Sequence, residues 1–130
     1  MSKLYGEHLA RYFHDRFGMR AHCLRIGYYM SPARIAAGLD RFKEALLLSP
    51  HDFARMVRLC LSDDAPSFGV YNTVSNPRRP WVSTAKARRE LGYEPVDTVE
   101  SIFGDLPEQR DPAREEFTFV DVPFPPLGRP

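Results

Sequence analysis

The residues able to carry chemistry are few and scattered. His8, His14, His22 and His51 lack the spacing of a metal site, and His8 and His14 fall on different sides of a helix, so no zinc site is expected. Cys23 and Cys60 each lie in an apolar run and read as buried free thiols of a reducing compartment. Arg78-Arg79 and Arg88-Arg89 are short basic pairs that read as solvated faces. Lys3 alone is one lysine near a chain start, and Arg41 alone is a loop charge. The eight glycines are dispersed. None builds the G-x-G-x-x-G turn that seats a dinucleotide pyrophosphate on a helix N-terminus.

Bulk properties narrow the classes. A chain of 130 residues suffices for one domain with a modest core. The 18 Lys and Arg against 17 Asp and Glu leave a net charge of +1, which argues against a nucleic-acid partner. No apolar run has the length of a membrane span, and no apolar signal core opens the chain, so a cytoplasmic location is expected, with no membrane partner. Pro112, Pro123, Pro125, Pro126 and Pro130 predict an extended tail.

Residues 3–19 read as a helix. Tyr5, Leu9, Tyr12, Phe13 and Phe17 share one face, expected to be core or a subunit interface, and Gly18 suits the left-handed stop. Residues 21–27 read as a buried strand. Helix, glycine stop and strand form the second half of a βαβ unit, so a parallel sheet and an α/β fold are expected. Residues 28–48 read as a long loop with a short helix, at the strand end where α/β proteins place ligands. Residues 49–61 form the best-marked helix, with Ser49 as N-cap, Pro50 at the first position and a Phe53, Met56, Val57, Cys60 stripe. Residues 68–74 alternate as a strand. Residues 83–91 form a short helix stopped by Gly92. Asp97-Thr98-Val99-Glu100 reads as a capping box opening a helix through Phe103, and Phe117-Thr118-Phe119-Val120-Asp121 as a last edge strand. No repeat or internal boundary is visible.

The order of several segments carries a resemblance. Ser2-Lys3-Leu4-Tyr5-Gly6-Glu7-His8-Leu9-Ala10-Arg11-Tyr12, then Phe17-Gly18, then Leu24-Arg25-Ile26-Gly27, resembles the stretch after the catalytic tyrosine of extended short-chain dehydrogenases, the NAD-dependent epimerase/dehydratase family. Ser49-Pro50-His51-Asp52-Phe53 and Tyr71-Asn72-Thr73-Val74-Ser75-Asn76 are similar to later segments of it. Ala85-Lys86-Ala87-Arg88-Arg89-Glu90-Leu91-Gly92-Tyr93-Glu94-Pro95 is similar to its recurrent A-x-x-x-L-G-Y-x-P helix and turn. Within the family the likeness runs toward uronate dehydrogenases.

The resemblance implies the C-terminal half of a Rossmann-type NAD(P) enzyme, with the N-terminal dinucleotide-binding half outside these residues. Residues 1–27 would end the Rossmann domain and residues 28–130 would form the substrate side with the tail. Lys3 matches the lysine of the family's Tyr-x-x-x-Lys pair, which binds the nicotinamide ribose and lowers the tyrosine pKa. The tyrosine position falls before Met1. Ile26 and Gly27 would line the nicotinamide pocket, and Tyr28 would stand beside the substrate. An arginine of the next loop would clamp a sugar carboxylate. Strict register falls on Phe42, which makes Arg41 the expected clamp, with Arg34 and Lys43 behind it.

The implied reaction is hydride transfer between NAD or NADP and a sugar or sugar acid, in a homodimer joined through the helix of residues 3–19. These residues alone are expected to be inactive and to bind no cofactor, as a truncated gene, a start codon assigned too late or one piece of a split protein. A sugar-nucleotide epimerase or dehydratase and a non-catalytic binding remnant are the alternatives.

Overall fold

A computed structural model describes residues 2–29 and 41–103 of the chain. Helix α1 (Ser2–Phe17) ends at Gly18, whose φ of 68° is the left-handed conformation a glycine adopts freely. The chain then enters β1 (Ala21–Ile26), which pairs in parallel with β4 (Phe68–Thr73) from Ala21 opposite Phe68 to Ile26 opposite Thr73. A second parallel pair joins β2 (Tyr28–Tyr29) to β3 (Leu47–Leu48), with α2 (Arg41–Ala45) between them. Helices α3 (Pro50–Cys60), α4 (Ala85–Leu91) and α5 (Val99–Phe103) complete the described elements. The fold is α/β with parallel strands, as the helix–glycine–strand order predicts.

Strand β4 is buried on both faces from Val70 onward, as parallel strands under helices are. Met56 and Cys60 of α3, Tyr71 of β4, Ala87 and Leu91 of α4, and Tyr93 form one core. Burial pushes the Cys60 thiol pKa up. Both cysteines are free, but Cys23 is only half-buried.

Three expectations are corrected. Strand β1 is half-buried, not buried, and its last two residues are exposed, because β4 is its one neighbour among the described residues. The aromatic stripe of α1 is not core: Tyr5, Leu9, Tyr12, Phe13 and Phe17 are all exposed, and the buried residue of α1 is Glu7. The capping box of α5 sits one residue later than expected. Thr98 Oγ1 accepts from the Ser101 amide at 3.1 Å, and Ser101 Oγ accepts from the Thr98 amide at 2.8 Å.

Asp97 is free for another task because Thr98 caps the helix. Ser49 Oγ accepts from the Asp52 amide at 3.0 Å and donates to Asp97 Oδ2 at 2.5 Å. The two carboxylate oxygens of Asp52, itself fully buried, each accept one amide, from Val96 and Asp97, both at 3.0 Å. The Ser49 amide donates to Ser75 Oγ at 3.0 Å. This network fastens the start of α3 to the end of β4 and to the entry of α5. The edge strand read at Phe117 to Asp121 lies outside the described residues.

Candidate functional site

The candidate site lies at the carboxyl edge of β1 and β4, and the path of the backbone creates it. The Gly27 amide donates to Thr73 O at 2.9 Å, continuing the β1–β4 ladder. The Tyr28 amide donates to Leu46 O at 2.6 Å and starts the second sheet. Gly27 is therefore where the chain crosses from one sheet to the other. A Cβ there would meet Leu46 O at 2.1 Å and Val74 Cγ1 at 2.8 Å, so only glycine fits without displacing backbone. Ile26 and Tyr28 flank it and are exposed at 53% and 42%, apolar side chains left open at a strand end.

An ion pair orients helix α1 toward this edge. Arg25, next to Ile26, donates from Nε to Glu7 Oε1 at 2.9 Å and from Nη2 to Oε2 at 2.8 Å. At the other end of the helix, His14 stacks on Phe68, the first residue of β4, with ring centroids 5.3 Å apart. The helix N-terminus thus points to the carboxyl ends of the strands. Lys3 lies one turn before Glu7, about 6 Å farther along the axis at 1.5 Å per residue. Its side chain is exposed. Glu7 also bears on the half-buried Cys23, whose thiol pKa is raised by burial first and by the Glu7 charge second, against the opposing effect of Arg25.

On the far side, Tyr28 meets Phe42 edge to face, with centroids 5.5 Å apart, and Phe42 meets Trp81 edge to face at 5.1 Å. Arg41 opens α2 immediately before Phe42. The Arg41 side chain and the whole of Arg34 lie outside the described residues, and Lys43 is half-buried. The structure brings Ile26, Gly27 and Tyr28 together by chain continuity and adds Phe42 through its ring contact with Tyr28. It shows no contact of Lys3 with them.

Beside the end of β4 a cleft of about 340 Å³ is lined by Val74, Ser75, Asn76, Pro80, Ser83 and Arg88, among others. His51, Asp52 and Asp97 lie close enough to suggest a cation site, their ligand atoms within 4.8 Å of one another. The Asp52 oxygens are already taken by amides and Asp97 Oδ2 by Ser49, so this group is the structural network at the start of α3.

Sequence reasoning missed Glu7 and Trp81, and gave Asp97 a capping role that Thr98 takes. A carboxylate one turn from Lys3 and an arginine before the strand end were the available signal for the Glu7–Arg25 pair. Nothing in the sequence places Trp81 beside α2.

No protein-family model matches the chain. It is 28% identical over 109 residues to an L-arabinose 1-dehydrogenase (NAD(P)(+)) of Haloferax volcanii, covering 78% of this chain and 43% of the relative. It is 32% identical over 100 residues to an NAD-dependent glucose-6-phosphate dehydrogenase of the same organism, covering 75% of this chain and 36% of the relative. The chain therefore spans less than half the length of these curated relatives. Among solved structures, it is similar to a glucuronic acid dehydrogenase from Chromohalobacter salexigens, with a TM-score of 0.67, 26% identity and coverage of 87% of this chain and 41% of the other. The uronate dehydrogenase from Agrobacterium tumefaciens matches with a TM-score of 0.63, 25% identity and coverage of 86% and 41%. The chain thus has the α/β fold of part of a Rossmann-type dehydrogenase and resembles part of an extended short-chain dehydrogenase, with uronate dehydrogenases among its structural relatives.

Proposed function

We propose that these residues form the substrate-side part of an NAD(P)-dependent sugar or sugar-acid dehydrogenase. The observation that supports this most is convergence at one edge: the Lys3 end of α1, held by Glu7 on Arg25, and the open Ile26-Gly27-Tyr28 turn. The relatives' names, all sugar or uronate dehydrogenases, point to the same substrate class. Residues 1–27 close the cofactor domain in this reading, and residues 28–130 face the substrate.

The residues present fit a nicotinamide cofactor. Exposed Ile26 offers an apolar surface to a flat ring, and Lys3, with no ion pair among the described residues, offers a free cation for ribose hydroxyls. The cofactor supplies the hydride acceptor. Lys3 holds the ribose and lowers the pKa of a tyrosine four positions before it. Tyr28 and Arg41 contact the substrate. The location is cytoplasmic, and among the described residues no helix is long and apolar enough to cross a membrane. The exposed stripe of Tyr5, Leu9, Tyr12, Phe13 and Phe17 pairs two copies in a homodimer.

The test is the in-frame DNA ahead of Met1. A tyrosine codon four positions before Lys3, preceded by a glycine-rich strand–helix turn, supports the enzyme. Another residue there overturns the dyad. A polypeptide of these 130 residues alone is expected to reduce no NAD⁺, and millimolar or tighter NAD⁺ affinity of that polypeptide would contradict this.

A further inference from the structure

The aromatic trio at the site's far wall has a shape that its packing role leaves unused. Tyr28, Phe42 and Trp81 come from three separate segments: β2, α2 and the turn after Pro80. Their rings meet edge to face at 5.5 and 5.1 Å, with interplanar angles of 84° and 74°. Here Tyr28 is 42% exposed and Phe42 40% exposed, while Trp81 is half-buried. The trio is continuous through Tyr28 with Gly27 and Ile26. Open aromatic faces beside the carboxyl edge of parallel strands lie where α/β proteins bind small molecules.

We infer that Tyr28, Phe42 and Trp81 form a stacking wall for the apolar C–H face of a cyclic aldose, with Trp81 as a substrate-positioning residue. This rests on the sugar-dehydrogenase reading and makes it more specific. A sugar ring carries hydroxyls around its rim and C–H bonds on its faces. An aromatic wall takes a face and leaves the rim to polar groups and the anomeric carbon free to meet the cofactor. The wall does not require a charged sugar, so it serves neutral aldoses and uronates alike and sets orientation, not charge preference.

Trp81 is the one tryptophan of the chain, so its emission reports on this wall alone. The experiment titrates the 130-residue chain with L-arabinose and with D-glucuronate, following Trp81 fluorescence and binding heat in parallel. A saturable change in Trp81 emission is expected, with a midpoint of about 1 mM, near the upper end of ordinary substrate affinities. Phe42→Leu should raise that midpoint about tenfold with an unchanged circular dichroism spectrum. Binding heat with Trp81 emission unmoved would overturn the wall and leave the dehydrogenase reading standing. An emission change with NAD⁺ but with neither sugar would assign the rings to the cofactor and overturn the inference. Absence of both heat and emission change with either sugar would overturn the wall, while hydride transfer by the protein of the full reading frame tests the dehydrogenase reading separately.

Discussion

Glu7 of α1 and Arg25 of β1 are joined by two hydrogen bonds of 2.9 and 2.8 Å, a bidentate link that fixes the direction of the first helix over the first strand. The carboxylate side chain is 11% exposed and the guanidinium 38% exposed. The bidentate geometry resists rotation of the helix, which a single contact would not. Orientation of Lys3 toward the strand ends depends on it.

Replacing Glu7 by Gln keeps the shape and removes the charge. Partial exposure of Arg25 screens the pair, so the cost should be about 1 kcal/mol, read as a lower urea midpoint at unchanged slope. Loss of the nearby negative charge should also lower the Cys23 pKa, one of whose causes is Glu7. Alkylation of Cys23 near neutral pH should therefore be faster in E7Q. An unchanged alkylation rate and urea midpoint would show that the pair does no such work.

Gly27→Ala places a methyl group against Leu46 O and Val74, at the crossing between the two sheets. Backbone must move, and overpacking of this kind costs about 3 kcal/mol. A thermal melt of G27A should show a markedly lower midpoint, whereas G6A, inside α1 with no atom within 4 Å, should melt at or slightly above the parent midpoint.

Asp52→Asn leaves one of two buried amides facing a donor in place of an acceptor. The Val96 and Asp97 amides each hold one Asp52 oxygen at 3.0 Å. The expected loss is about 2–3 kcal/mol. Hydrogen exchange should locate it, with protection falling at Val96 and Asp97 before it falls in β4.

The alkaline limb of stability reports on Tyr93. Its hydroxyl donates to Val74 O at 2.9 Å, and burial, then the Asp52 charge, pushes its pKa well above the ordinary tyrosine value. A phenol raised in the folded state stabilises the fold fully below its unfolded pKa of about 10, and this is lost as pH rises through the folded value. Tyr93→Phe should cost about 1 kcal/mol at neutral pH through the lost hydrogen bond. It should also flatten the decline above about pH 10, the unfolded value. Tyr71, raised by burial and by Glu90, keeps part of that slope in Y93F.

Local rules made much of this fold legible. Ser49 and Pro50 announced α3 because capping is written in adjacent residues, and Gly18 and Gly92 marked two helix ends by the same logic. A parallel sheet followed from the helix–glycine–strand order, whereas the choice of β4 as the partner of β1 did not. Long-range choices were not legible. Asp97 and Thr98 are both good caps, and the competing bond from Ser49, distant in sequence, decided which one starts α5. The stripe on α1 reads as core or subunit interface, because periodicity reports a face and not what covers it. At the site, Ile26, Gly27 and Tyr28 were found through resemblance, while Trp81 reaches Phe42 only through the turn beyond β4.

Hydride transfer itself is the most direct check of the central reading. The protein expressed from the full reading frame that contains these residues should reduce NAD⁺ or NADP⁺ with L-arabinose or D-glucuronate, measured by the absorbance of the reduced cofactor. Lys3→Met should lower kcat/KM by about 100-fold or more, the scale of losing acid–base assistance, and shift the pH profile upward as the tyrosine loses its cation. A rate in Lys3→Met equal to that of the parent, or no reduction with any aldose or uronate, would contradict the dehydrogenase account.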